Sequence, residues 1–335
     1  MKIVATTIGC MIALSSAYSQ SDSSHFYFNK GVAEITAKRY LVASVYLDKA
    51  IQLDPKYTDA YLQSALANLE MHKMDNAINN FQKVYSLEPN NAEAIKQLAQ
   101  LYYNFHQYEK AIEFAKKCGD QKIIAMSTYE TEDYGAAVTE LQKVLDKNPD
   151  DAEANYTMAR SYLEMQEEKK AIPYYQKAVA ADATKSGWMY ELGLIYYNGA
   201  DYTHAIEMIT KAIDAGYTKS NDVNENLGYA YIYNGQFDKG EPILLAILAR
   251  KPGQKDILRD MAEAFYQRKQ YDKALEYCQK LMELDAKDAK ALYQAGLCFQ
   301  KKGQKDRGQQ MCDAAIGMDP SLSSLRQKQA DFTGL

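Results

Sequence analysis

Residues Tyr190–Ile213 read YELGLIYYNGADYTHAIEMITKAI, and this stretch decides the fold. Leu192, Gly193 and Tyr196 place an apolar stripe on one helical face at i, i+1, i+4. Asn198-Gly199-Ala200-Asp201 then interrupts the pattern with turn-forming residues. Tyr202, Ala205, Ile209 and Ala212 resume it at i, i+3, i+7, i+10. Two amphipathic helices joined by a tight turn are predicted. The small residues Gly193 and Ala205 set the distance between them, because helix backbones approach closely only where no bulky side chain intervenes.

The same pattern recurs about every 34 residues, with starts at Ser24, Thr58, Ala92, Cys118, Ala152, Ser186, Asn221, Lys255 and Ala289. At the eighth position stand Gly31, Ala65, Ala99, Ala125, Ala159, Gly193, Gly228, Ala262 and Gly296. At the twentieth stand Ala43, Ala77, Ala111, Ala137, Ala171, Ala205, Gly240, Ala274 and Gly308. All eighteen slots hold Gly or Ala, and five of the seven prolines (Pro55, Pro89, Pro149, Pro252, Pro320) mark the closing turn.

On these residues the chain resembles the tetratricopeptide repeat family from Ser24 to about Leu322. The resemblance implies an all-α fold: an α-solenoid, a right-handed superhelix of about nine helix-turn-helix repeats. The repeats are 24–57, 58–91, 92–117, 118–151, 152–185, 186–219, 221–254, 255–288 and 289–322, with a tail at 323–335. Such an array grows by stacking neighbours rather than around one core, so residues 20–335 are expected to form one superhelical domain. Repeats one, two and four depart from the family at an aromatic packing slot, which holds Glu34, Asn68 and Thr128.

Two irregularities are visible. Pro89 to Pro149 spans 60 residues where two periods require 68, so eight are missing near Lys116–Asp120, and Gly119-Asp120 is expected to cap a helix clipped by about two turns. Pro173 and Pro242 both fall at position 22, which lies in the first turn of the second helix if that helix begins near position 18.

Residues 1–19 read as a secretory signal: Lys2, a mostly apolar run from Ile3 to Leu14, and Ala17-Tyr18-Ser19 as a small-x-small cleavage site before Gln20. The run is too short to span a bilayer. The expected localisation is exported, periplasmic or outer-envelope; lipid attachment at Cys10 is the alternative. The formal charge is −5, or −6 without Lys2 (38 basic against 44 acidic residues), and no basic block occurs. Nucleic acid and anionic membrane surfaces are therefore poor partners.

No catalytic signature is present, and no cofactor is expected. His25, His72, His106 and His204 lie in different repeats without a metal-pair spacing, and neither a Gly-rich phosphate loop nor Gly-x-Ser-x-Gly occurs. After the leader, Cys118, Cys278, Cys298 and Cys312 remain. Their spacing fits no zinc framework; Cys298 could pair with Cys278 or Cys312 in an oxidising compartment.

The resemblance implies that the first helix of each repeat lines a concave groove at positions 2, 5, 9, 12 and 13. Those positions hold Tyr103, Tyr129, Tyr156, Tyr190, Tyr197, Tyr229, Tyr233, Tyr266 and Tyr293. Nine tyrosines in 45 slots exceed the four or so that overall usage predicts (45 × 28/335). Tyrosine presents a large ring and a polar tip at low entropy cost, so these rings are expected to be exposed and to bind a partner. The carboxylate clamp of some family members requires more than Lys96, which lacks its Asn partners here. Asn29, Gln63, Gln97, Asn226 and Gln294 form a broken amide ladder at position 6. The expected function is a scaffold binding a protein or extended peptide in a bacterial envelope; a self-associating structural solenoid and a glycan-binding module are the alternatives.

Overall fold

The computed structural model describes residues 22–324 except Pro252. The expected leader and the end of the tail lie outside the described residues. Eighteen α-helices and one short 3-10 helix account for the described fold. The first helices of the repeats are α1 (22–36), α3 (Thr58–Glu70), α5 (Ala92–Asn104), α7 (Gln121–Glu130), α9 (Ala152–Glu164), α11 (Ser186–Asn198), α13 (Asn221–Tyr233), α15 (Lys255–Gln267) and α17 (Ala289–Lys301). The second helices are α2 (Tyr40–Leu53), α4 (Met74–Leu87), α6 (Tyr108–Cys118), α8 (Tyr134–Lys147), α10 (Glu168–Ala181), α12 (Tyr202–Asp214), α14 (Phe237–Arg250), α16 (Tyr271–Leu284) and α18 (Lys305–Met318).

The period follows from these lengths. A 13-residue helix, a three-residue turn, a 14-residue helix and a four-residue connection make 34, as Thr58–Asn91 shows. Seven of the nine sequence-derived starts coincide with the first residue of a helix. All eighteen small-residue slots are buried. A Cβ on Gly193 would stand 2.7 Å from Cγ1 of Ile209, and one on Gly240 would stand 2.6 Å from the Gly228 carbonyl oxygen. The helix pairs are in contact at these slots, which is why nothing larger than Ala occupies them.

The turn inside each repeat has a fixed geometry that composition conceals. The fifteenth position has positive φ in all nine repeats: Lys38, His72, His106, Glu132, Gln166, Ala200, Gly235, Lys269 and Gly303. Only two of them are glycine. In the deciding stretch the left-handed residue is Ala200 (φ 59°), not Gly199 (φ −76°). The Ala200 N–H donates to the Tyr197 carbonyl at 3.0 Å and the Asp201 N–H to the Tyr196 carbonyl at 2.9 Å, which satisfies the carbonyls that the helix end leaves open.

Three expectations are corrected. The eight missing residues do not clip one helix by two turns: α6 loses three, α7 loses three, and their connection shrinks from four to two. Gly119 (φ 72°) caps α6, and the Asp120 carboxylate accepts the Ile123 N–H at 3.0 Å to start α7. Cys118 thus ends α6, and the fourth repeat's first helix starts at Gln121. Pro173 and Pro242 are each the sixth residue of their helix, past the four free N–H groups, because α10 and α14 begin at position 17. The carbonyls they leave without an intrahelical donor belong to exposed Lys169 and Asp238, where water can reach them. The 3-10 turn Pro320–Leu322 lays Leu322, buried, against the last helix pair; the expectation of a capping helix in the tail falls almost wholly outside the described residues.

Contacts divide the chain into two compact units, one ending at Ala181 and the other starting at Asp182, although the repeat period runs through the junction. Each is described by itself. In the first, α5 touches α7 and α7 touches α9; in the second, α13 touches α15 and α15 touches α17. The first helices of consecutive repeats therefore share one face within each unit.

Candidate functional site

Four repeats carry a tyrosine near the end of the first helix and another at the start of the second, five residues apart. Tyr103 lies against Tyr108 (6.1 Å between ring centroids), Tyr129 against Tyr134 (5.6 Å), Tyr197 against Tyr202 (5.7 Å) and Tyr266 against Tyr271 (5.7 Å). The left-handed residue three after the first tyrosine folds the chain back and brings each pair together. Sequence reasoning found only the first member of each pair. The spacing Tyr-x4-Tyr was the available signal for the second.

In the first unit, Tyr103, Tyr129 and Tyr156 are half-buried. Burial raises the Tyr103 phenol above its ordinary range, with Glu130 adding to it, and burial likewise raises Tyr129. Tyr156 packs edge-on against buried Tyr175 at 5.7 Å. Two groove cations are engaged here: Lys122 bridges Asp151 (3.0 Å) and Glu153 (2.9 Å), and Arg160 pairs with Glu164.

The second unit holds the larger cluster. Tyr197 lies 6.4 Å from Tyr233 of the next repeat, Tyr202 stacks on Tyr233 at 5.3 Å, and Tyr229 stacks on Tyr233 at 6.1 Å. These four rings form a strip across α11, α12 and α13. Burial, then the neighbouring phenols and acids, raises Tyr197 well above its ordinary range and pushes Tyr233 up to about 12. Tyr229 is raised furthest, by burial and then by the charge of Asp260, to which its hydroxyl hydrogen bonds. Tyr190 stacks on Tyr217 at 4.7 Å, and its phenolic oxygen accepts from the Asn226 amide at 2.8 Å. Burial pushes Tyr266 up to about 12. The raised phenols of Tyr190, Tyr197, Tyr229, Tyr233 and Tyr266 are neutral at physiological pH and offer rings and O–H groups, not charge.

The expectation of nine exposed rings is corrected. Tyr229 and Tyr293 are core residues, 7% and 4% exposed, and the other seven are half-buried. Large rings at groove positions lie down along the next helix and close gaps between repeats.

Charge is distributed unevenly around that strip. Arg259 is engaged by Asp256 (3.2 Å) and Asp288 (3.0 Å). Glu225 receives the Gln254 amide at 3.3 Å, and Glu263 receives the Gln267 amide. Among the described residues, Glu225, Asp260 and Glu263 form no ion pair. A cleft of about 380 Å³ opens beside them between α15 and α17, walled by the acids Asp260 and Glu263, the cations Arg259 and Lys290, and Tyr293, and floored by Cys278, Leu281 and Leu322. The amide ladder is partly used inside the protein: Asn226 holds Tyr190, and Gln97 donates to Glu93 at 2.8 Å.

The four described cysteines are free thiols; Cys118 is exposed and the others are buried. Burial pushes Cys278 and Cys298 up to about 12 each. Among the described residues no three His, Cys, Asp or Glu side chains group to hold a metal ion, and no helix is long and apolar enough to cross a membrane.

Comparison with known proteins agrees with this architecture. Tetratricopeptide repeat models match residues 24–57, 68–118, 129–188, 189–215, 225–289 and 289–322. Similar proteins include the DnaJ protein P58IPK homolog of Arabidopsis thaliana, 25% identical over 52% of this chain and 40% of its own length. DnaJ homolog subfamily C member 3 of Mus musculus is 25% identical over 56% of this chain and 35% of its own. The chain thus spans less than half the length of these two relatives. Among solved structures, YrrB, described as a TPR protein with an unusual peptide-binding site, is 24% identical over 56% of this chain and 97% of its own, with a TM-score of 0.40. The C-terminal part of a TPR repeat-containing protein from Cytophaga hutchinsonii is 24% identical over 67% of this chain and 95% of its own, with a TM-score of 0.44. With repeat models matched along most of its length, the chain belongs to the tetratricopeptide repeat family.

Proposed function

We propose that this chain is a binding scaffold whose main working surface is the first-helix face of the second unit, and that its partner is an extended protein segment carrying Lys or Arg side chains. Members of the family mediate protein–protein interaction. The observation that carries the finer reading is the Tyr197–Tyr202–Tyr233–Tyr229 strip flanked by Glu225, Asp260 and Glu263, three carboxylates without an ion-pair partner. Ring faces attract cations through their quadrupole, and unpaired carboxylates beside them add charge complementarity and steer association. The cleft between α15 and α17 can take one apolar or long aliphatic side chain over Leu281 and Leu322. The reading is of binding, with no chemical step.

Selection of displayed random peptides against the chain tests it. Enrichment of Lys and Arg in the selected segments is expected. Segments without that enrichment, or rich in acids, would overturn the charge reading.

We further propose export, with the mature chain beginning at or near Gln20, on the leader pattern of residues 1–19 and its Ala17-Tyr18-Ser19 site. The envelope is then where the partner is met. Amino-terminal sequencing of the natively expressed protein checks this: Gln20 supports it, an intact Met1 overturns it, and lipid on Cys10 replaces it with anchoring.

A further inference from the structure

Position 11 of the repeat, near the end of the first helix, carries an internal control. Six repeats place a ring there: Tyr102, Tyr162, Tyr196, Tyr231, Phe265 and Phe299. Where contacts are seen, the ring covers positions 19 and 23 of the second helix. Tyr102 lies 5.5 Å from the Phe114 ring and 5.1 Å from the Lys110 ammonium. Tyr162 lies 5.7 Å from the Tyr174 ring and 5.6 Å from the Lys170 ammonium. Repeats one and four lack the ring, and their polar residues are satisfied within the repeat: Glu34 pairs with Arg39, and the Thr128 hydroxyl donates to the Ile124 carbonyl at 2.7 Å.

Repeat two is built differently. Its positions 11, 19 and 23 hold Asn68, Asn76 and Asn80, so asparagine replaces both the ring and the two residues a ring would cover, and Asn79 stands beside them. The space left is a cleft of about 290 Å³, lined by these four carboxamides together with Ser44, Asp48 and Lys73. Every lining residue is polar or charged. Asn68 is only 6% exposed. Its Nδ2 donates to the Ser64 carbonyl at 2.8 Å, and because a carbonyl can only accept, that bond fixes which way the amide points. Its Oδ1 is turned to the cleft, and among the described residues nothing donates to it. Asn80 is held through its own Nδ2 by the Ser64 hydroxyl at 3.0 Å. The side chains of Asp48, Asn76 and Asn79 form no hydrogen bond among the described residues. A buried acceptor with no donor, beneath carboxamides with no commitments, is costly until something from outside donates to it.

We propose that this cleft is a binding site for a neutral, hydroxyl-rich ligand, a sugar residue of a glycan. Three features of the lining select that class. Carboxamides both donate and accept, as sugar hydroxyls do, so each can pair with a hydroxyl in either sense. Asp48 and Lys73 bring one charge of each sign, which leaves no net field to favour an anion or a cation. No apolar side chain is present to receive an aliphatic or aromatic ligand, and the volume, at the low end for ligand pockets, suits one small ring. The cleft belongs to the first unit and owes nothing to the tyrosine strip of the second.

A glycan array probed with the full chain, carrying neutral and acidic glycans, tests the proposal, with dissociation constants then measured for the best neutral glycan. Binding to at least one neutral glycan is expected. Asn68→Tyr gives repeat two the ring that six other repeats carry; it is expected to fill the cleft and abolish binding without lowering the melting temperature. Asn76→Ala/Asn79→Ala changes two exposed residues, so the fold is expected to stand while binding weakens about tenfold or more, the scale of two lost hydrogen bonds. Tyr233→Ala, in the second unit, is expected to leave glycan binding unchanged. An array on which no neutral glycan binds means that the cleft holds solvent alone, and overturns the proposal. So does selection of acidic glycans only, binding that survives both asparagine variants, or binding that Tyr233→Ala removes.

Discussion

The side-chain amide of Asn226 on α13 donates to the phenolic oxygen of Tyr190 on α11 at 2.8 Å, so a position-6 amide and a position-5 tyrosine of successive repeats satisfy each other. Both residue types were candidates for holding a partner. Here they tie one repeat to the next, and the hydroxyl of Tyr190 is already engaged while its ring lies on Tyr217.

A double-mutant cycle reads this bond directly. Tyr190→Phe and Asn226→Ala are each expected to cost about 1 kcal/mol, the usual net worth of a half-buried hydrogen bond, with a coupling of about 0.5–1.5 kcal/mol in urea unfolding. Strict additivity would show that the two side chains do not meet.

The helix-pair frame is tested at Ala205, which is fully buried beside Gly193. Ala205→Leu is expected to cost about 1–3 kcal/mol through overpacking. His204→Leu, at an exposed neighbour whose imidazole Nδ1 pairs with Asp201 at 2.7 Å, is expected to cost a few tenths, because exposed pairs contribute about 0–1 kcal/mol. Equal melting shifts would place the repeat register elsewhere.

The turn geometry makes opposite predictions for two repeats. Gly303 (φ 87°) has open space around an added Cβ, so Gly303→Ala is expected to cost about 1 kcal/mol through the backbone alone. Ala200→Gly relieves the same conformation and is expected to stabilise, by about 0.5 kcal/mol once the looser unfolded chain is counted. Denaturant midpoints moving the same way for both would contradict the assignment.

How far this site could be read from sequence varied with the physics behind each feature. The small-residue slots were legible because close backbone approach admits only Gly or Ala, as at Gly193 and Ala205. The left-handed fifteenth position was not, because Lys38, His72 and Ala200 accept its strain while neighbouring Gly199 draws the eye. The missing eight residues were counted correctly, but their division between α6, α7 and the Gly119-Asp120 turn depends on where each helix finds its cap. Groove positions located the tyrosines; they did not reveal that Tyr229 and Tyr293 are covered, since burial there depends on how a ring lies against the following helix. Replacing Tyr190, Tyr197 and Tyr229 together by Ala is expected to lower stability, Tyr229 being core.

The thiols should divide by burial and acidity. Burial holds Cys278 and Cys298 up to about 12, so both remain neutral thiols from pH 7 through pH 10. The thiolate is the reactive form. Exposed Cys118 is expected to react rapidly with a disulfide reagent in the folded chain, while Cys278 and Cys298 react only on unfolding. Rapid labelling of either buried thiol in the folded chain would contradict the packing of repeats eight and nine.

The central claim is that the acid-flanked tyrosine strip binds a cationic segment, and the measurement that tests it most directly is the dissociation constant of one selected Lys- or Arg-bearing peptide. It is measured for wild type, Glu225→Gln/Glu263→Gln and Tyr233→Ala, with melting temperature followed in parallel. The Gln pair keeps side-chain shape and removes two charges; about tenfold weaker binding is expected, with steeper loss of wild-type affinity as salt rises. Tyr233→Ala is expected to cost about 2 kcal/mol of binding, the scale of an aromatic anchor at an interface centre. If the peptide binds both variants as tightly as wild type, its site lies elsewhere and the account of the groove is wrong.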